Sequence, residues 1–577
     1  MGLHMCKKGC IFAHETYKCA MTKIGSFNAL IEKSIKEHWA RPALTDYKGS
    51  TLHYRDVARK IEKLHLLMQQ TGLKPGDKVA LFDRNSSMWA VAFLATLSYG
   101  AVAVPVQSEF TPDQVHHIVN HSDARLLFVG KALAATLNGS EMPALEGMLR
   151  MDDFALLESR SERLTYAREH LNELFGEKFP KHFRREHLCY HADGPEELAL
   201  INYTSGTTGF SKGVMLPYRS LWSNMDYLMD EIGHRLPKQS KILCILPMAH
   251  MYGLSVEVLM QLCMGNHLHF LTRLPSPSII QQAFLDVRPA IVVSVPLIIE
   301  KIVRKEIFPI ARSPRMRLLL GIPVVRERMK RFLYNKVMEV MGGQAYEIMI
   351  GGASFSREIE DFFTGIGFPV TVGYGTTETG PMLTFSDHTD FVPGSCGTAA
   401  KHMEVKVLSA DPDRVPGEIV ARGPNVMLGY YKNEKATREV IDEEGWFHTG
   451  DLGRRSPDGH FYILGRIKNI LLSSSGQNVF PDEIEHKQNA MPLVNESLVV
   501  QRGNRFVALV CPDHEEVKNQ GLSETELNAL MQQHLKALNA QLPKFSRVSE
   551  IRLHPEEFEK TPKKSIKRYL YQEKNEA

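Results

Sequence analysis

A large, multi-subdomain N-terminal α/β domain of layered, mostly parallel sheets, followed by a small α+β C-terminal domain, is the fold class that three observations predict. Short apolar runs of strand type alternate with helical stretches near the start: KVALFDR (Lys78 to Arg84), GAVAVPV (Gly100 to Val106) and RLLFVG (Arg125 to Gly130). Such alternation calls for parallel strands covered by helices. The same rhythm returns at KILCILPM, HLHFL, AIVVSVP and YEIMIGGA between Lys241 and Ala353, so the α/β region is long. From about Gly394 the chain changes to short strands separated by turns.

The elements follow in order. Asn85 to Ser108 is the longest uncharged stretch and approaches the length of a membrane span, but Gly100 and Pro105 break it. It reads as a buried helix followed by a buried strand. Thr111-Pro112 opens a helix running to Ser122, with proline suited to the first helical turn. Between Leu133 and Glu196 the composition turns charged, and this stretch is expected to be a loop-like surface excursion leading into the buried strand LALINYTSG. VKVL, GEIVARG and GHFYILGR are short strands. After Arg466 the chain reads as a compact α+β unit whose clearest helix is SETELNALMQQHLKALNAQL. The expected divisions are a Cys/His-rich extension over 1–20, a large domain over 21–466 and a small domain over 467–577.

Composition narrows the function. The 577 residues include 43% apolar and 23% charged residues, the balance of a globular protein that buries a sizeable core. Lys and Arg number 69 against 66 Asp and Glu, a net charge of +3, which lacks the basic excess of a nucleic-acid binder. Eight cysteines are too sparse for a disulfide framework, so a reducing compartment is expected. Three of them (Cys6, Cys10, Cys19) sit near His4 and His14, but C-x3-C-x8-C lacks the paired spacing of common zinc sites. The first twenty residues contain no apolar signal segment, and Cys6 stands where a myristoylation motif needs Ser or Thr.

The strongest chemical signal is YTSGTTGFSKGVM (Tyr203 to Met215). Its glycines let backbone N–H groups approach phosphate oxygens, its hydroxyls add donors, and Lys212 adds a point charge. It is not a Walker A loop, because Ser211 stands where that motif requires glycine. In GYGTTETGP (Gly373 to Pro381), Glu378 offers a hard oxygen ligand for Mg2+ beside nucleotide phosphates and Tyr374 a flat face for adenine. In HTGDLG, Asp451 can accept two hydrogen bonds from a ribose diol. The double glycine of GGASFS (Gly351 to Ser356) admits a ligand against backbone.

Taken together, these segments resemble the acyl-adenylate-forming, AMP-binding superfamily, and within it the long-chain fatty acyl-CoA synthetases. Their order and spacing extend over about residues 25 to 570. The resemblance implies an adenylation domain and a mobile C-terminal domain that rotates about the hinge in GRIKNILLSSSGQNVFPDEIE, with Lys468 as hinge residue. It implies ATP contacts from Thr204, Ser205, Gly206, Thr207, Thr208, Gly209, Lys212, Gly351, Gly352, Ala353, Tyr374, Gly375, Thr376, Asp451 and Arg466, with Lys212, Thr208 and Glu378 catalytic and Glu378 the Mg2+ ligand. His250 and Tyr252 in LPMAHMYG, and Val295 in SVPLIIEKI, border the acyl site on the same grounds.

The implied chemistry is activation of a fatty acid to acyl-AMP by ATP and Mg2+, then transfer to CoA, in a cytoplasmic enzyme with peripheral contact at the inner membrane face. The basic KTPKKSIKR stretch is the candidate for that contact. At about 0.8 kcal/mol per buried CH2, roughly 14 methylenes are worth on the order of 11 kcal/mol before ordering costs, so an apolar tunnel can read chain length. One segment departs from the family. In EKTPKKSIKRYL (Glu559 to Leu570), Ser565 stands where the family carries a lysine that contacts carboxylate and α-phosphate, and Lys564 is the candidate replacement. A fatty acyl-AMP ligase, a carrier-protein ligase and a nucleotide-binding pseudoenzyme therefore remain alternatives.

Overall fold

The computed structural model describes residues 24–204, 211–273, 276–473, 477–503, 505–560 and 566–572. Two sheets organise the large domain. The first has eight strands, whose centre is parallel: Lys78–Phe82 lies between Val102–Val106 and Ala124–Val129, and Val102–Val106 pairs in turn with Leu198–Thr204. The second has seven strands, with Lys241–Cys244, Ile291–Ser294, Glu347–Ile350 and Val370–Val372 running parallel side by side. These strands are apolar on both faces because both faces are covered.

Helix Ser87–Tyr99 lies between the sheets. It touches Lys78–Phe82 and Val102–Val106 of one sheet and Pro42–Asp46 of the other, and every one of its residues but Tyr99 is buried. That environment is why its sequence, MWAVAFLATLS, lacks a polar face. The Ser86 hydroxyl accepts the Trp89 N–H at its start, and Gly100 adopts φ +87 at its end. Trp89 stacks on Phe93 with ring centroids 5.3 Å apart. Among the described residues no helix is long and apolar enough to cross a membrane.

One expectation needs correcting. The stretch from Leu133 to Glu196 is not simply loop. Gly147–Arg150 pairs parallel with Ala124–Val129, Leu156–Ser159 pairs antiparallel with Gly147–Arg150, and helices Glu162–Glu169 and Leu171–Lys178 follow. These strands carry the eight-stranded sheet to its edge, where the outer strand Leu156–Ser159 is partly exposed and charge-bearing, and four-residue strands are too short to show the pattern that marks the centre.

A four-stranded antiparallel sheet (Glu404–Leu408, Gly417–Arg422, Phe447–Arg455, Phe461–Arg466) completes the large domain. A short turn, Ile467–Asn469, leads to the small domain. Its three strands Val494–Arg502, Arg505–Pro512 and Val548–Leu553 pack with helices Pro481–Asn489 and Glu524–Ala540 around a separate core that includes Ile484, Val499, Phe506 and Met531. Glu524–Ala540 begins with a capping box: the Ser523 hydroxyl accepts the Glu526 N–H, and the Glu526 carboxylate accepts the Ser523 N–H. All five described cysteines are free thiols.

Candidate functional site

The site forms where the parallel strands of the seven-stranded sheet end. In open α/β sheets the carboxyl ends of the strands leave a crevice for ligands. Ile291–Ser294 delivers Val295, Glu347–Ile350 delivers Gly351 and Gly352, and Val370–Val372 delivers Tyr374. The Gly351 N–H donates to the Ser294 carbonyl at 3.2 Å, and the Gly373 N–H to Ile350 at 2.8 Å. A Cβ on Gly351 would come within 3.1 Å of the Tyr252 ring, and Gly352 has φ +84 with Val295 at 3.8 Å from the place its Cβ would take. Gly351, Gly352, Tyr252 and Val295 are thus brought together, and a larger residue at 351 would push into the ring. The Tyr252 hydroxyl donates to the Met349 carbonyl at 3.0 Å.

A second group surrounds Asp451. The strands Phe447–Arg455 and Phe461–Arg466 pair with Asp451 opposite Arg466. The Arg466 guanidinium lies 2.7 Å from Asp451 Oδ1, and the Tyr374 hydroxyl donates to Asp451 Oδ2 at 2.6 Å. Burial pushes the Asp451 carboxyl above the ordinary carboxylate range, with Arg466 and Tyr374 opposing it. Tyr374 therefore binds Asp451 as well as offering its ring face. Lys468 lies near enough to Arg466 and Lys212 that burial first, then both cations, hold its ammonium below the usual lysine value.

A third group links strand Lys212–Pro217 to the Glu378 turn. Lys212 begins strand Lys212–Pro217, opposite Thr204, and the Thr204 hydroxyl donates to the Lys212 carbonyl at 3.4 Å. Its ammonium sits 4.7 Å from the centre of the Tyr430 ring, a cation–π contact. The Tyr430 hydroxyl in turn donates to Glu378 Oε1 at 3.0 Å, and the Met427 N–H to the Glu378 carbonyl at 2.8 Å. Thr376 and Gly375 precede Glu378 on the same turn, where the Thr376 N–H donates to the Thr379 hydroxyl at 3.2 Å. Glu378 Oε2 has no hydrogen-bond or ion-pair partner among the described residues, leaving a hard oxygen of the kind a divalent cation takes.

Ser205, Gly206, Thr207, Thr208 and Gly209 lie outside the described residues, as do Lys564, Ser565 and the Cys/His-rich extension. Ala353 is exposed just beyond Gly352. His250 accepts the Tyr252 N–H on Nδ1 at 3.3 Å, which puts it at the start of the helical segment behind the pocket.

The geometry also adds residues that sequence reasoning missed. Tyr430 stands in the otherwise unremarked GYYKN, with nothing local to set it apart. Glu257, fully buried in the apolar run LSVEVLM, accepts the N–H groups of Ile245 and Leu246 at 3.1 and 3.0 Å and so fixes the loop that carries His250; burial drives its carboxyl well above the ordinary range. Its signal was a lone carboxylate in an apolar run, which needs a partner if buried. Asp482 joins the end of strand Phe461–Arg466 to the small domain: it accepts the Arg466 N–H at 3.3 Å and the Arg568 guanidinium at 2.5 Å. Gly465, at φ +146, leaves room for that carboxylate, which would lie 2.7 Å from a Cβ there.

Comparison with known proteins places the architecture. Residues 31–431 match the AMP-binding enzyme family and residues 468–576 the AMP-binding enzyme C-terminal domain. The chain belongs to the AMP-binding enzyme family. It is 28% identical to the peroxisomal long chain acyl-CoA synthetase 6 of Arabidopsis thaliana over 522 residues, covering 83% of this chain and 70% of that one. It is 27% identical to the long-chain-fatty-acid–CoA ligase FadD15 of Mycobacterium tuberculosis over 566 residues, 90% of each. Among solved structures, ATP-bound MatB from Rhodopseudomonas palustris superposes with a TM-score of 0.72 at 25% identity, covering 95% of this chain and 98% of that one. The AMP complex of o-succinylbenzoate CoA synthetase from Bacillus subtilis shares the fold, with a TM-score of 0.70 at 19% identity over 94% and 97% of the two chains.

Proposed function

We propose that this AMP-binding enzyme is an acyl-adenylate-forming ligase that activates a long-chain fatty acid and passes it to CoA. The observation that carries the reading is the convergence of three groups at one end of the sheet: Lys212 with Tyr430 and Glu378, Asp451 with Arg466 and Tyr374, and the glycine floor of Gly351 and Gly352. Long-chain specificity rests on the names of the relatives and on the resemblance of SVPLIIEKI to that subgroup.

In this reading the acid's carboxylate oxygen attacks the α-phosphorus of ATP, the bond to the β-phosphate breaks, and pyrophosphate leaves. The CoA thiolate then attacks the acyl carbon and AMP departs with the bonding electrons. Lys212 and the phosphate loop neutralise charge that grows on the phosphates, and such preorganised donors are worth about 10²–10³ in rate each. Asp451, steadied by Arg466, holds the ribose hydroxyls, and the glycine floor admits adenine. Glu378 would hold Mg2+, which when bound supplies charge neutralisation on the nucleotide. Lys468 serves as the hinge, and the small domain moves between the two half-reactions.

The test is incubation with ATP, Mg2+ and carboxylic acids from acetate to stearate, with and without CoA, followed by mass spectrometry. CoA-dependent thioesters that peak at long chains are expected. Acyl-AMP that never reaches CoA would transfer the reading to another acceptor, and no product from any acid would overturn it. The first outcome would also show that Ser565 is tolerated at the lysine position.

A further inference from the structure

The crossover that joins two strands of the site carries a surface that adenylation does not use. Ile291–Ser294 ends at Val295, and the chain returns to the sheet only at Glu347. Between them, helices Pro314–Gly321 and Pro323–Val340 form a hairpin with Ile322 at the turn. Each helix opens on proline, and the Ser313 hydroxyl accepts the Met316 N–H to cap the first. The hairpin is anchored at its base: Met316, Leu333 and Val337 are buried, and the Tyr334 ring meets that of Phe368 at a tilt, with centroids 5.2 Å apart.

The tip is built the wrong way round for a protein surface in water. Leu318 to Val325 reads LLLGIPVV, eight residues without a charge. Leu318 is 70% exposed and Val324 94% exposed. On either side stand cations. Arg312 to Phe332 holds seven Lys and Arg and a single Glu, in a chain whose overall excess is only +3. Arg312 pairs with Glu358 and Lys330 with Glu327, but Arg315, Arg317, Arg328 and Arg331 have no acidic partner among the described residues. The Arg326 guanidinium donates to the Leu320 carbonyl at 2.9 Å, which holds the two arms together at the tip.

We propose that this hairpin docks the enzyme on an anionic lipid bilayer, with Leu318, Ile322 and Val324 entering the headgroup boundary and the surrounding arginines meeting lipid phosphates. An apolar tip within a cationic collar matches the two layers of such a surface in order, apolar inward and anionic outward. An acidic protein partner would satisfy the arginines but would leave Val324 and Leu318 with nothing to cover them. The charge pattern therefore favours the bilayer. The hairpin replaces the basic KTPKKSIKR stretch as the principal contact. It is part of the crossover between strands Ile291–Ser294 and Glu347–Ile350.

The experiment is flotation of the full chain with vesicles of phosphatidylcholine alone or with 30% phosphatidylglycerol as an arbitrary anionic fraction, roughly what a working surface potential requires. No ATP or fatty acid is present, so the result stands apart from the identity of the activated acid. The wild type is expected to float with anionic vesicles, not with neutral ones, and to be released by salt. The triple variant R315E/R317E/R328E should partition on the order of 100-fold more weakly. The double variant L318S/V324S should lose about tenfold. Thermal unfolding midpoints of both should match the wild type, because none of the five side chains is buried. Absence of flotation by the wild type would overturn the proposal and leave an acidic protein as the partner to seek. Unchanged flotation of the triple variant, or loss only on neutralising Lys560 and Lys567, would overturn it as well.

Discussion

Strand Glu347–Ile350 has a cluster of charge at each end, about 13 Å apart at 3.3 Å per residue, and the two clusters are built on opposite principles. At the carboxyl end, beyond Gly351, stand the groups of the site, where Glu378 Oε2 has no partner among the described residues and Lys212 lies over the Tyr430 ring. At the amino end, Glu347 and Asp387 are fully buried and each carboxylate lies against a basic side chain. Arg235 binds Asp387, the Thr389 N–H donates to Asp387 Oδ1 at 2.9 Å, and the Thr371 hydroxyl donates to Glu347 Oε1 at 2.6 Å. His388 lies 3.5 Å from Glu347.

Burial raises the Asp387 carboxyl, but Thr389, His388 and Arg235 more than offset it and hold it below the ordinary value. Glu347, Asp387 and His388 form the one group of donors among the described residues close enough together to hold a metal. Arg235 already supplies the positive charge there. A closed cluster holds the fold together, whereas an open one at the other end of the same strand leaves valences for a ligand.

The contrast can be broken by substitution. Lys212→Met should lower ATP–pyrophosphate exchange by about 10²–10³ while leaving the thermal midpoint nearly unchanged; a large loss of stability instead would mean that the open end is structural too. Arg235→Leu should do the reverse. It leaves Asp387 short of a partner, so urea unfolding should show a loss of about 1–3 kcal/mol, with exchange activity per folded molecule preserved. Tyr430→Phe removes one hydrogen bond to Glu378 but keeps the ring under Lys212, and should cost about tenfold in exchange rate. Equal rates for Phe and Tyr would sever Tyr430 from the open cluster.

The smallest effect concerns pH. The Glu347 carboxylate first, with burial opposing, raises the His388 imidazole above its usual 6.5. The stability that His388 contributes is therefore fully present below pH 6.5 and is lost as the pH rises through the higher folded value. Denaturation midpoints of the wild type and His388→Gln should diverge on the acid side of that window and converge above it. Parallel curves would show that the imidazole and Glu347 do not share a proton.

The sequence announced the strands that are buried on both faces, because continuous apolar runs have few other uses. It announced the Glu378 turn and the Asp451 strand, because glycine, hydroxyl and carboxylate occur there together at close spacing. It concealed strands Gly147–Arg150 and Leu156–Ser159: each is four residues long, too short to show a period, and the outer one, Leu156–Ser159, is as polar as a loop. It also concealed every pairing made across distance. Arg235 and Asp387 are 152 positions apart, and Tyr430 is 52 from Glu378, so no window of sequence joins them. Glu257 was visible only as an anomaly.

Helix Ser87–Tyr99 carries a further consequence. Because it is buried on every side, against strands of both sheets and against helix Tyr54–Gln70, neither sheet has a finished core until the other is in place. Folding of the large domain should then be a single cooperative event, with no stable half. The small domain, whose core of Ile484, Val499, Phe506 and Met531 owes nothing to that helix, is free to melt on its own. Calorimetry should resolve two transitions, and Trp89→Ala should move only the larger one.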